Sequence, residues 1–412
     1  MSPQGGTPRG GPGALLVGLS LYTVMTAWLL RLPCRVPGRG AAESLPALCA
    51  TEVAPGEPTG AGGFFTGGPA GDQPALVGMI STVLGWLADR VPALLGADAG
   101  RGASADLSVL LLAAAWIGTV AAVSALSGRR GADAFVLALA PVAVLVGFGT
   151  WDLLAVLLMV LALLLHVRGS PVPAGIVLGL AASVALFPLV VLLAVLLLAV
   201  RYRQFRDVAL VLAGTALTWA LVNGPFLLSA GDRWARQLST PWAQPVAGSS
   251  PWGVWARVEQ ARTGAAPDPA GGDQYVLLAL VLGFVAVLVL TLLTRQEPSV
   301  VQIAFLLLAV LVLAGPGYSP VHALWLAPLV VLSRRNWLEF AAWQLVEVLW
   351  WATLVLPASV WPVLPGLGPI GWDVQDLLAA VRVLLLALLV VAVAVDVLRG
   401  GRARRIGLSE PG

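Results

Sequence analysis

From Val172 to Val200 the chain reads VPAGIVLGLAASVALFPLVVLLAVLLLAV, an apolar stretch with no charge, flanked by His166 and Arg168 on one side and by Arg201 and Arg203 on the other. As one straight helix it would be ~43 Å long at ~1.5 Å per residue, well beyond the ~30 Å hydrocarbon core of a bilayer. A single crossing would also put one of the two basic groups outside, whereas short cytoplasmic loops are the ones that keep arginine. Pro188, near the middle, lacks the N–H that a helix interior requires. The stretch therefore reads as two short helices meeting in a hairpin at Leu186, Phe187 and Pro188, with its tip on the outer face.

The same parity argument organises the rest of the chain. Of 412 residues, 58% are hydrophobic and 11% charged, against about 25% charged in an ordinary globular domain. With a mean hydropathy of +0.90, a soluble fold is excluded. Further apolar runs are read at 13–30, ahead of Arg129, and at 134–148, 152–167, 207–229, 275–294, 298–314, 319–333, 337–356 and 376–398. The segment 75–95 is apolar but broken by Asp89, Arg90 and Pro92, and counting it as a crossing would move Arg129 and Arg130 outside. It is expected instead as an amphipathic helix on the outer face.

The expectation is a single all-α polytopic domain over 1–412, with about twelve transmembrane helices in the plasma membrane and both termini cytoplasmic. A disordered tail (1–12) and a basic tail (399–412) lie inside. Two large loops, 31–106 and 230–274, lie outside. Leu30 is followed by Arg31, Leu32, Pro33 and Cys34, which is no small-residue cleavage site, so the first helix is read as retained.

Net charge is only +3, and the 24 basic residues are all arginine. A pI near 9.3 thus reflects scattered arginines, and nucleic acid is excluded as a partner. The two cysteines, Cys34 and Cys49, are too few for a thiolate metal cluster; no cofactor is expected, and the sequence does not fix a metal requirement. They are either a pair of free thiols or one bridge. An oxidising outer side favours the bridge, which would close a loop of roughly fifteen residues and contribute ~3 kcal/mol in the chain-entropy view.

Irregular sequence collects on the expected outer side: the two large loops, the turn at Thr150, Trp151 and Asp152, the Phe187–Pro188 tip, the turn at Tyr318, Ser319 and Pro320, and residues 357–375. Such asymmetry points to a site built from loops on a helical platform. In this set the strings Pro33-Cys34-Arg35, Leu48-Cys49-Ala50-Thr51-Glu52-Val53, Asp72-Gln73-Pro74, Trp151-Asp152-Leu153-Leu154-Ala155-Val156, Leu186-Phe187-Pro188-Leu189, Gly248-Ser249-Ser250-Pro251-Trp252, Tyr318-Ser319-Pro320, Leu324-Trp325-Leu326 and Trp343-Gln344-Leu345-Val346-Glu347 follow one another along nearly the whole chain. The ordered set resembles the actinobacterial integral-membrane branch of glycosyltransferase family 87, polyprenyl-phosphate-mannose-dependent mannosyltransferases with the C-type glycosyltransferase fold.

The resemblance implies inverting transfer of a sugar from a polyprenyl phosphate donor to a glycan or glycolipid acceptor at the outer face, with membrane lipid around both. That chemistry needs a carboxylate to take the acceptor proton and a cation or hydrogen-bond donors for the departing phosphate. By resemblance Glu52 is the base and Asp72 the second loop acid, while Arg35, Trp151, Asp152, Phe187, Ser319 and His322 are donor- or sugar-binding candidates. The chain departs from the family pattern at the hairpin tip, where Ala185-Leu186-Phe187-Pro188 stands for Lys-Leu-Tyr-Pro, and at Val321-His322, which stands for Gln-Tyr. The alternatives are a catalytically inactive paralogue acting as a glycolipid-binding or scaffold protein, and a lipid-linked sugar transporter. Within the helices, Gln344 and Glu347 share a face, and Glu347 is expected to pair with Arg382 because a lone buried acid is costly.

Overall fold

A computed structural model describes residues 12–35, 46–49, 73–90, 103–128, 132–239, 246–264, 272–334, 336–356, 360 and 374–400. The regular elements among them are helical: α1 (Pro12–Leu30), α2 (Leu32–Arg35), α3 (Pro46–Cys49), α4 (Ala75–Ala88), α5 (Ala103–Ser127), α6 (Ala132–Ala138), α7 (Pro141–Leu145), α8 (Asp152–Val167), α9 (Pro171–Val184), α10 (Leu189–Tyr202), α11 (Phe205–Ser239), α12 (Pro251–Thr263), α13 (Gly272–Leu293), α14 (Val300–Ala314), α15 (Pro320–Ser333), α16 (Trp337–Val355) and α17 (Val374–Arg399). By length and composition six of these, α1, α5, α11, α13, α16 and α17, can cross a bilayer. Shorter apolar helices, α4, α8, α9, α10, α14 and α15 with the segment spanned by α6 and α7, pack among them, and α12 is polar. This is the architecture of a multi-pass helical membrane protein.

The register of α9 against α11 explains how the long apolar stretch folds. Gly175 abuts Val211, Gly179 abuts Thr215 and Thr218, and the Ser183 hydroxyl accepts from Asn223 Nδ2 at 3.0 Å. Residue numbers rise together, so α9 and α11 are parallel, and α10 must run back between them from the Phe187–Pro188 tip. The glycine pair is four residues apart, as in small-xxx-small membrane packing, where missing side chains bring backbones together. A Cβ at Gly179 would lie 2.7 Å from both the Thr215 carbonyl oxygen and Thr218 Cβ. Gly179→Leu is therefore expected to cost about 1–3 kcal/mol by overpacking. Thermal unfolding of the purified variant in detergent checks this, and an unchanged midpoint would refute the close contact.

Three boundaries differ from the sequence reading. The run 134–148 is divided into α6, α7 and a 3₁₀ turn, Gly147–Gly149, because Pro141 cannot donate and its ring pushes the preceding residue out of the helix; Ala140 is extended at φ −60°, ψ 117°. The freed Val142 N–H donates to Gln344 Oε1 at 3.1 Å. Second, α11 continues to Ser239, ten residues past the expected helix end at 229, and α12 also lies within the expected 230–274 loop. Hydropathy falls where helix α11 leaves the apolar zone, but nothing there stops the helix. Trp234 Nε1 donates back to Asn223 Oδ1 at 3.2 Å. Third, the helix expected over 75–95 ends at Ala88. Ala75, Val77, Gly78 and Ala88 are buried, while Val83 and Trp86 are 55% and 51% exposed.

The arginine-rich helix ends meet at one end of the bundle. Arg201, closing α10, donates to the carbonyls of Thr291, Thr294 and Gln296 at the end of α13. Thr294 Oγ1 donates to the Val397 carbonyl of α17 at 2.9 Å, and Arg334 bridges Glu339 and Asp396 at 2.7 and 2.5 Å. The turns after α7, α9 and α14 are at the opposite end. α14, almost entirely buried, is the centre of the core.

Candidate active site

The turns 147–152, 185–188 and 315–322 converge, although they are far apart in sequence. Trp325, on the first turns of α15, joins them. Its indole N–H donates to Asp152 Oδ2 at 2.8 Å, and its rings stack on Phe187 with centroids 4.2 Å apart and planes 8° from parallel. His322 meets the same indole edge-on at 4.4 Å. The Ser319 N–H donates to His322 Nδ1 at 3.0 Å, which makes the imidazole a cap for the α15 N-terminus and leaves the ring's proton on Nε2. A half-buried carboxylate, an imidazole and an aromatic wall thus share one small volume.

Below this wall is a fully buried polar cluster. Arg382 donates through Nε and Nη2 to Glu347 Oε2 at 3.0 and 2.7 Å, and through Nη1 to the Tyr318 carbonyl at 3.1 Å. Tyr318 donates its hydroxyl to Glu347 Oε1 at 2.6 Å and accepts from Trp343 Nε1 at 3.0 Å. The guanidinium lies between the Tyr318 and Trp350 rings, 4.1 and 3.9 Å from their centroids. Glu347 and Arg382 therefore pair as the cost of an isolated buried charge demands.

This cluster also sets the depth of the site. Arg382 is eight residues inside α17, which starts at Val374, and Glu347 is eight residues before α16 ends at Val355. The Tyr318 turn is thus ~12 Å below the ends of those helices at ~1.5 Å per residue. The long helices α16 and α17 thus extend past the short helices at this end, and the segment before α12 packs on the 315–317 turn, with the Ala247 N–H donating to the Pro316 carbonyl at 2.8 Å.

The start of the first loop is fastened to α16. Cys34 and Cys49 form a disulfide with Cα atoms 5.4 Å apart, and α3, which carries Cys49, packs on α16. Arg31, between α1 and α2, donates from Nη2 to the Leu145 carbonyl at 3.2 Å. Its guanidinium passes over Gly149, where any Cβ would collide with it.

Of the residues singled out in the sequence, Asp152, Phe187, Ser319 and His322 are brought together. Trp151 is buried beside them, 5% exposed, with an indole N–H that meets no acceptor among the described residues. Arg35 closes α2, and its side chain is outside the described residues, as are Glu52 and Asp72. Trp325, Tyr318 and Arg31 were not singled out as site residues. A tryptophan or tyrosine in an apolar run reads as core, and an arginine after a first helix reads as a membrane-end charge.

A polytopic helical membrane protein with a polar and aromatic cluster at the end opposite its arginine-rich face is the class defined so far. The family model for glycosyltransferase family 87 matches residues 82–316, more than half the chain, and the chain belongs to that family. It is a membrane glycosyltransferase, acting between a sugar donor and an acceptor. Comparison with curated proteins yields no match.

Proposed function

We propose that this glycosyltransferase has the C-type fold of the actinobacterial integral-membrane branch and crosses the plasma membrane about twelve times, with both termini cytoplasmic. It transfers mannose from a polyprenyl phosphate donor to a cell-envelope glycan or glycolipid acceptor at the outer face, with inversion. The observation that carries this reading is the convergence of the three turns at Trp325. It collects a carboxylate, an imidazole and stacked aromatics at the end away from the arginines, where a lipid-linked donor would be presented. Aromatic faces and polar side chains suit a sugar.

Glu52 is the base in this reading and Asp72 positions the sugar or acceptor. Covalent reach supports both. Glu52 is three residues past Cys49, hence within about 11 Å of it along the chain. Asp72 adjoins Gln73, whose Oε1 accepts from Ser81 on α4 at 3.0 Å. The transporter alternative is disfavoured by the engagement of Glu347 and Arg382 with each other and with Tyr318. The apolar tip, with Phe187 sealed against Trp325, is the one feature that favours a non-catalytic glycolipid-binding role.

The deciding experiment is transfer from radiolabelled polyprenyl phosphate mannose to an extracted glycolipid acceptor by the purified protein in proteoliposomes. Labelled product supports the reading, and its absence across polyprenyl chain lengths and sugars favours the glycolipid-binding role. Orientation is tested separately with Ser249→Cys, a half-exposed residue before α12. A membrane-impermeant maleimide is expected to label it in intact cells. Labelling only after permeabilisation would overturn the outer-face assignment.

A further inference from the structure

We propose that the turns leading into α9 and α11 form a binding site for an anionic phospholipid, with Arg168, Arg203 and Arg206 at its headgroup and the exposed apolar residues of the two helices along its acyl chains. The site is at the arginine-rich end of the bundle, so it stands apart from the polyprenyl phosphate reading.

The packing of α9 on α11 brings the three arginines together. Gly175 abuts both Val211 and Gly214, and Gly214 also meets the Val172 carbonyl. Seven residues back from Gly175 is Arg168; seven back from Val211 and Gly214 are Gln204 and Asp207. Because the helices are parallel and in contact, Arg168 comes within about one helical turn of the level of Arg203 and Arg206. Arg168 caps the end of α8. Arg203 caps the end of α10 in the left-handed region, at φ 56°, and Arg206 is in the first turn of α11. All three side chains are exposed, and none makes a hydrogen bond or ion pair among the described residues. Arg201, by contrast, is committed to the α13 carbonyls. Asp207 is exposed beside them and offsets one of the three charges, leaving a net of two positive.

The surface next to these arginines is apolar and open. Val172 and Ile176, one turn apart on α9, are 42% and 44% exposed, and Phe205 and Leu212, two turns apart on α11, are 54% and 52% exposed. Each stripe starts at the level of the arginines and runs into the apolar zone. A soluble anion would use only the charges, whereas a phospholipid uses both parts. The planar guanidinium fork matches phosphate oxygens in pairs. A zwitterionic headgroup brings its own ammonium into the same positive field, and an anionic one does not. Bound there, the lipid ties the α8–α9 turn to the α10–α11 turn, so occupancy should register as stability.

The test compares thermal unfolding of the full-length protein in nanodiscs of phosphatidylcholine with unfolding in nanodiscs that also contain phosphatidylglycerol. The midpoint is expected to rise with phosphatidylglycerol, and the gain to shrink as salt is added. The combined variant Arg168→Gln, Arg203→Gln and Arg206→Gln is expected to lose most of that gain while matching the parent in phosphatidylcholine. If it unfolds early there, the single variants Arg168→Gln and Arg206→Gln decide the matter, each losing part of the gain. Arg295→Gln with Arg399→Gln removes two other exposed arginines from the same end and should keep the gain. No gain in the parent, a gain kept in full by the combined variant or by both single ones, or an equal loss in the Arg295 and Arg399 control would overturn the site. Stabilisation of the parent in phosphatidylcholine by inorganic phosphate, to the same extent as by phosphatidylglycerol, would overturn the lipid as its occupant.

Discussion

Glu52→Gln is expected to reduce sugar transfer by ~10²–10⁴-fold, the range for removing a general base, while leaving the protein folded and able to bind donor. The amide is nearly isosteric with the carboxylate, so the change falls on proton acceptance and little else. Initial rates with labelled donor give the loss, and stabilisation by undecaprenyl monophosphate shows that donor binding survives. Undiminished transfer would remove Glu52 as the base. Asp72→Asn and Asp152→Asn would then be the next variants to measure, since Asp152 is the carboxylate the fold places against the aromatic wall.

Glu347→Leu is expected to have the largest effect on stability. It would leave the Arg382 guanidinium, 0% exposed, without its counter-charge, beside the Tyr318 carbonyl and two ring faces. Breaking a buried pair from one side costs about 3–5 kcal/mol. The Tyr318 hydroxyl would lose its acceptor at the same time, so the turn that carries Ser319 and His322 should loosen and transfer should fall. Replacing both partners by leucine removes the unpaired charge, and Glu347→Leu with Arg382→Leu is expected to regain most of the stability. Thermal unfolding of the single and double variants measures this. A single variant as stable as the parent would mean the pair contributes little. Recovery of stability without recovery of transfer would show that the pair serves chiefly to hold the turn.

The helices were legible because a bilayer imposes few and strict demands. Apolar runs, proline breaks and the side on which arginines fall located α8, α9, α10, α14 and α15 to within a few residues, and parity required the reversal at Phe187–Pro188 that the α9/α11 register shows. The pairing of Glu347 with Arg382 was also legible, because one acid and one arginine within neighbouring apolar runs have few other ways to lower their burial cost. The break at Pro141 and the extension of α11 to Ser239 were not. Hydropathy reports the surrounding solvent, and it is silent on whether a helix pauses inside the apolar zone or continues beyond it.

The sequence by itself determined the class of protein: a helical chain dissolved in a bilayer, with basic turns at one end and irregular, polar turns at the other, and with strings of residues that resemble one family of transferases. Each of these is a local property, set by composition and spacing over a few turns. Only the tertiary structure decided which turns meet. The bond from Trp325 to Asp152 and that from Arg31 to Leu145 join residues 173 and 114 positions apart. Such contacts depend on how short helices are enclosed by long ones, and on glycines at 149, 175 and 179 that let a guanidinium or a neighbouring backbone approach. An apolar run presents the same local pattern whichever neighbour it packs against, so the cluster at Trp325 emerges only when the helices are assembled.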